Sequence, residues 1–326
     1  MLWRNQFENI FELLNKENYY NSLMIIRRTL HICIVFSLFF SPFSHASDDQ
    51  WHRLSDTNFI IYYQFNDSQN SEKIFKILKT SYYKLSQEIG VEVTDTIAVI
   101  IAPSKNDYQQ MLGKNIPKWS DGVASPSKNS IVLKSASWTP PETDHSAIAV
   151  HELTHILLDR AVKGNPIPRW FDEGIAVYYS GEKRYASSSR ISKALLTKSL
   201  IELKDIDNVL NFQADKAQLA YQESYLAVDY LFKQYGKDAV KKIIQHLGNG
   251  RDLNQAFLAV IDLDLWEFEG EWLDNIKQKY RWYFLVELDD YLWVIMLVLL
   301  VAGFFMMRIR NRRTIQRWQD EDYEIK

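Results

Sequence analysis

Cysteine is all but missing from this chain: Cys33 is the single one in 326 residues. That excludes an intrachain disulfide framework and any zinc site built on thiolates. An excess of one charge is missing as well, since 38 Lys and Arg stand against 41 Asp and Glu for a net charge of −3. There is neither a basic field for nucleic acid nor an acidic tail, and the one arginine-rich run lies beside an apolar segment near the C-terminus. Internal repeats and low-complexity linkers are absent too. With 47% hydrophobic and 24% charged residues, the chain can build one large core or two closely packed lobes.

What the chain does have is His151-Glu152-Leu153-Thr154-His155, set in an apolar stretch from Ala147 to Leu158. Residues four apart share one face of an α-helix, so His151 and His155 can offer imidazoles to the same ion while Glu152, one position round, reaches its open side. Two histidines and a glutamate on a helix that is apolar nearly all round cost free energy unless paired or metal-bound. The pattern points to a zinc hydrolase; the plainer alternative is a structural histidine pair.

A catalytic zinc keeps three protein ligands, so one is still required. The candidate is Glu173, eighteen positions after His155 in Ile167-Pro168-Arg169-Trp170-Phe171-Asp172-Glu173-Gly174. Pro168 can open a second helix there, after a turn through Gly164-Asn165-Pro166 that brings it back antiparallel to the first. Gly174 shares the face of Glu173, which predicts a close approach of these two helices. The rival pattern H-E-x-x-H-x-x-G-x-x-H needs Gly and His where Leu158 and Ala161 stand, and is excluded.

His-Glu-x-x-His followed by Trp-x-x-Glu-Gly resembles the gluzincin zinc metallopeptidases and, more narrowly, the bacterial peptidase-MA-like domain family. The likeness extends over roughly residues 50–275, through Leu219–Tyr225, the Tyr235-Gly236 stop and Leu247–Gly250. It implies a zincin-like sheet lobe and a Zn2+ ion on His151, His155 and Glu173. It also implies peptide hydrolysis by zinc-activated water, with Glu152 as general base and Tyr221 or Tyr225 as the oxyanion donor. Asp172 or Asp159 would orient a ligating histidine or merely cap a helix. The strand ahead of the metal helix, Ile131 to Leu133, is expected at the cleft edge, where an extended peptide can add to it, or else as an ordinary structural edge strand. A catalytically silent membrane-tethered binding or scaffolding module of the same fold is the alternative; the intact Glu152 and ligand set favour the enzyme.

Two apolar segments predict the topology. Arg27-Arg28, the run Leu30 to Phe40 and the small residues around Ala46 read as a cleavable export signal within 1–46, with Met24 as a possible true start and an uncleaved anchor as the alternative. Tyr291 to Met307 carries no charge and is followed by Arg308, Arg310, Arg312, Arg313 and Arg317, with Glu287, Asp289 and Asp290 before it. The positive-inside rule then puts the tail 308–326 in the cytoplasm and the peptidase domain, 47–285, outside the inner membrane. A peptide or protein substrate outside the cytoplasm is expected, and no nucleic acid.

Between these segments the periodicities predict an α+β half followed by an all-α half, a sheet lobe about 47–165 and a helical lobe about 166–285. Strands are expected at 58–65, 96–101 and 130–133, with helices at 71–89 and 107–112. Further helices are expected at 191–199, 218–235, 237–247, 252–261 and 265–280.

Overall fold

The structure is a computed structural model that describes residues 50–92, 95–113, 120–182, 185, 188–281 and 289–324. The expected signal segment lies outside the described residues. Two compact units emerge, one from the described part of Met1–Tyr185 with Leu203–Leu265, the other from Ala186–Glu202 with Trp266–Lys326.

The first unit is mixed α+β. Strands β1 (His52–Ser55), β2 (Phe59–Tyr63), β3 (Ile97–Ala102), β4 (Gly122–Ser125) and β5 (Ser130–Lys134) form a sheet in the order β1-β2-β3-β5-β4. The inner pairs β2–β3 and β3–β5 are parallel, and the outer strands β1 and β4 run antiparallel to their neighbours. The parallel centre is apolar, with Ile97, Val99, Ile101, Ile131 and Leu133 fully buried, as strands covered on both faces must be. Sequence reading missed β1 and β4, and it placed Ile131–Leu133 at the cleft edge. That placement is corrected: β5 is interior, held by β3 and β4 alike, and β4 is the edge. Gly-Val-Ala-Ser is short and carries one β-branched residue, too little for a periodicity signal.

Helices α1 (Ser68–Ile89) and α2 (Lys105–Leu112) follow β2 and β3. Ile74, Leu78, Tyr82, Leu85 and Ile89 line one buried face of α1, which packs on α3 (His145–Ala161), the helix of the His-Glu pair. Asp144 caps α3 by accepting the Ala147 N–H at 3.0 Å. At its other end Arg160 donates to the Tyr82 hydroxyl and to Asn129 Oδ1, both at 2.9 Å, which locks α3 to α1 and to the turn before β5.

The chain then turns through Lys163 and Gly164, both at positive φ, into α4 (Arg169–Ser180), with Pro168 at its start as expected. Beyond α5 (Ser188–Thr197), which belongs to the second unit, a 3-10 stretch at Leu203–Asn211 leads to α6 (Ala214–Gly248). The two helices expected at 218–235 and 237–247 are the two arms of α6, which meet at a kink where Gly236 takes φ 82 and ψ 170. Gly174 does permit a close helix crossing, but its partner is α6 and not α3: a Cβ there would lie 2.4 Å from the Ser224 carbonyl oxygen. Then α7 (Leu253–Ile261) completes the unit.

In the second unit, α8 (Leu265–Tyr280) buries Trp272 and Tyr280 and leaves Trp266 exposed. Helix α9 (Asp289–Glu324) contains Leu292–Arg317, the one stretch among the described residues long and apolar enough to cross a bilayer; none of its apolar window is buried.

Candidate metal centre

Four elements of the first unit surround one cavity of about 540 Å³. Its floor is α3, which presents Ile148, His151, Glu152, His155 and Asp159. Helix α4 adds Arg169, Asp172 and Glu173, α6 adds Tyr221, and β4 forms a wall with Gly122, Val123 and Ala124. Because α4 packs on both α3 and α6, the buried Glu173 carboxylate stops between the two imidazoles. Its Oε2 lies 3.2 Å from His151 Nε2 and 3.5 Å from His155 Nε2.

One nitrogen of each histidine and one oxygen of Glu173 fall within 4.8 Å of one another. Two imidazole nitrogens and a carboxylate oxygen, buried and convergent, are a donor set that suits a divalent transition metal, zinc included. Glu152 stands beside them under β4, close enough that a Cβ on Gly122 would lie 2.9 Å from both Glu152 Cγ and Oε1. Glycine at the start of the edge strand is what leaves room for that carboxylate.

Residues 77–278 match the Peptidase MA superfamily. The chain belongs to this superfamily. No curated protein matches the chain. Membership of a peptidase superfamily that is typically metal-dependent agrees with the donor set just described.

The side chains behind the Peptidase MA donor set are less legible in the sequence. His155 Nδ1 donates to Asp172 Oδ1 at 2.8 Å, so of the two aspartates weighed, Asp172 is the one that reaches an imidazole. Asp159 lines the cavity one turn further along α3, and burial together with Asp172 raises its carboxyl. On the other histidine, Nδ1 lies 2.7 Å from Glu182 Oε1, a residue just past α4 that the motif reading did not reach. Arg169, quoted within the motif but given no role, places Nε 3.2 Å from Glu173 Oε1. Helical spacing i, i+4 was the signal that could have found it. Of the two tyrosines, Tyr221 lines the cavity and Tyr225, one turn on, does not. Tyr221 is stacked on Tyr185, with ring centroids 5.3 Å apart and planes at 16°.

Burial and charge act on these groups in opposite senses. Burial pulls the His151 imidazole down, but Glu182 and Glu173 together push it up to about 9. His155 is likewise lowered by burial and carried well above its usual value by Asp172 and Glu173. Burial raises Glu152, and the two imidazoles only partly draw it back. Glu173 is held well below the usual carboxylate range, because His155, His151 and Arg169 override its burial. Burial and the Glu173 charge keep the Tyr221 hydroxyl protonated far above neutrality, as a hydrogen-bond donor must be.

Proposed function

We propose that the chain is a membrane-anchored zinc metallopeptidase of the gluzincin type, hydrolysing peptide bonds outside the cytoplasm. The observation that carries this reading is the convergence of His151, His155 and Glu173 within 4.8 Å at the floor of a cavity that also holds Glu152. The three ligands would hold Zn2+, which supplies a Lewis acid for the scissile carbonyl and acidifies water.

The chain's own groups do the rest. An extended peptide pairs with the open side of β4, which has no strand beyond it among the described residues and lines the cavity. That brings a peptide carbonyl over Glu152. Glu152 accepts the proton of the attacking water and returns it to the leaving amine; a carboxyl raised by burial is suited to both directions of transfer near neutral pH. Tyr221, protonated and fixed by its stack on Tyr185, donates to the oxygen on which negative charge develops. Residues 47–285 act as the peptidase domain, α9 as the membrane anchor, and the arginines from Arg308 to Arg317 keep the C-terminus in the cytoplasm.

Elemental analysis of the purified chain tests the reading. One zinc per chain is expected in the wild type and a large loss in Glu173→Ala. Glu152→Ala should keep its zinc and lose hydrolysis. A folded, zinc-replete preparation with no bound metal would overturn the proposal in favour of a binding module.

A further inference from the structure

We propose that Glu182 is the positioning residue of His151, holding one ring nitrogen so that the other faces the metal; the inference rests on the zinc-site reading above. Helix α4 ends at Gly181, whose φ of 65 is the left-handed conformation that suits glycine, with its N–H on the Val177 carbonyl at 3.1 Å. That turn reverses the chain, and the next residue, Glu182, comes back under α3 with its side chain only 3% exposed. Its Oε1 lies 2.7 Å from His151 Nδ1 and accepts from the Ser180 hydroxyl at 3.3 Å, so the carboxylate is itself held.

On the far side of the cluster a second carboxylate stands at the same ring position, with Asp172 Oδ1 2.8 Å from His155 Nδ1 and accepting its hydrogen bond. Each imidazole therefore has a carboxylate at Nδ1 and turns Nε2 toward Glu173. A neutral imidazole carries one proton. A carboxylate at Nδ1 keeps it there, leaves the Nε2 lone pair for the ion and raises its basicity. The two supports are not equal: the Asp172 side chain is 17% exposed, whereas Glu182 has little access to water as an alternative partner. A carboxylate buried to that degree is costly unless it faces partners, and the His151 imidazole is one of those it faces.

The test is zinc affinity of the full-length chain in detergent, measured by competition with a chromophoric chelator, together with the visible spectrum of the cobalt(II)-loaded protein. Glu182→Gln is nearly isosteric and removes the charge; Glu182→Leu removes the acceptor; Glu182→Asp keeps the charge and shortens the reach. Zinc affinity should fall about 10–100-fold in the Gln and Leu variants, with a changed cobalt spectrum, and recover in part in the Asp variant. Should the Leu variant fail to fold, the Gln variant still decides. Zinc binding within twofold of wild type and an unaltered cobalt spectrum in a folded Gln variant would overturn this assignment alone. A wild-type chain that binds no zinc would overturn the metal reading on which it stands.

Discussion

Replacing Gly174 by alanine isolates the helix contact that aims Glu173. A Cβ at this position lies 2.4 Å from the Ser224 carbonyl oxygen, 2.6 Å from Val228 Cγ2 and 2.9 Å from the Ser224 carbonyl carbon. Two of those atoms are backbone and cannot rotate away, so α4 and α6 must part by about 1 Å to reach ordinary contact distance. Overpacking of this kind costs about 1–3 kcal/mol and sits at the upper end where backbone is the obstacle. The lower entropy of an unfolded chain with alanine returns only about 0.4–1 kcal/mol. A net loss of about 2 kcal/mol should lower Tm by roughly 4–8 °C. Because Glu173 is the adjacent residue, the same displacement should weaken zinc binding about tenfold or more. Thermal melts and chelator competition on the detergent-solubilised chain read both effects. The control is Gly250→Ala, at φ 80 with nothing within 4 Å, which should cost about 1 kcal/mol and leave zinc affinity alone. The reasoning fails if Gly174→Ala is no worse than that control and binds zinc as the wild type does.

Gly122→Ala should press the Glu152 carboxylate from its place and lower hydrolysis of a quenched peptide library about 10–100-fold while one zinc stays bound; full activity would show that β4 does not bear on Glu152. Tyr221→Phe keeps the stack on Tyr185 and loses the donor, so turnover should fall about 10²-fold with zinc retained, and Tyr225→Phe, outside the cavity, should change little. The chelator-stripped chain should lose stability as pH rises. His151 is raised from 6.5 to about 9 in the fold, so its contribution is whole below pH 6.5 and gone above 9, and a Tm that stays flat over that window would refute it.

How much was legible follows from where each signal lives. His151, Glu152 and His155 are four residues apart or fewer on one helix, and Glu173 lies on the next, so helical spacing and one turn suffice to bring them together. The parallel strands β3 and β5 also declare themselves, as runs of buried Ile, Val and Leu. Glu182 gives no such signal, because its approach to His151 depends on a left-handed turn at Gly181 and on the tilt of α4 against α6. The partner of Gly174 was misread for a related reason: a small residue announces a close approach without saying which helix approaches. The edge strand β4 is defined by what it lacks among the described residues, a neighbour on its second side, and a four-residue Gly-Val-Ala-Ser segment does not encode that locally.

The charge balance of the site makes a further demand. Four carboxylates, Glu152, Asp172, Glu173 and Glu182, lie half-buried or buried around two imidazoles and one guanidinium, that of Arg169. Without an ion, that much negative charge favours an extra proton on both histidines, which is the sense in which His151 and His155 are raised. A divalent ion carries the charge of those two protons and takes the same ring nitrogens, so binding is an exchange and the net charge of the cluster is unchanged. Binding Zn2+ at pH 7 should therefore release close to two protons from the imidazoles. Two ordinary histidines, mostly neutral at that pH, would release about half a proton in all. Calorimetric titration of the full chain with zinc, repeated in buffers of different ionisation enthalpy, counts the protons directly. Release of one proton or fewer would mean that the carboxylates do not hold the imidazoles charged, and the balance proposed for Glu173 and Glu182 would have to be abandoned.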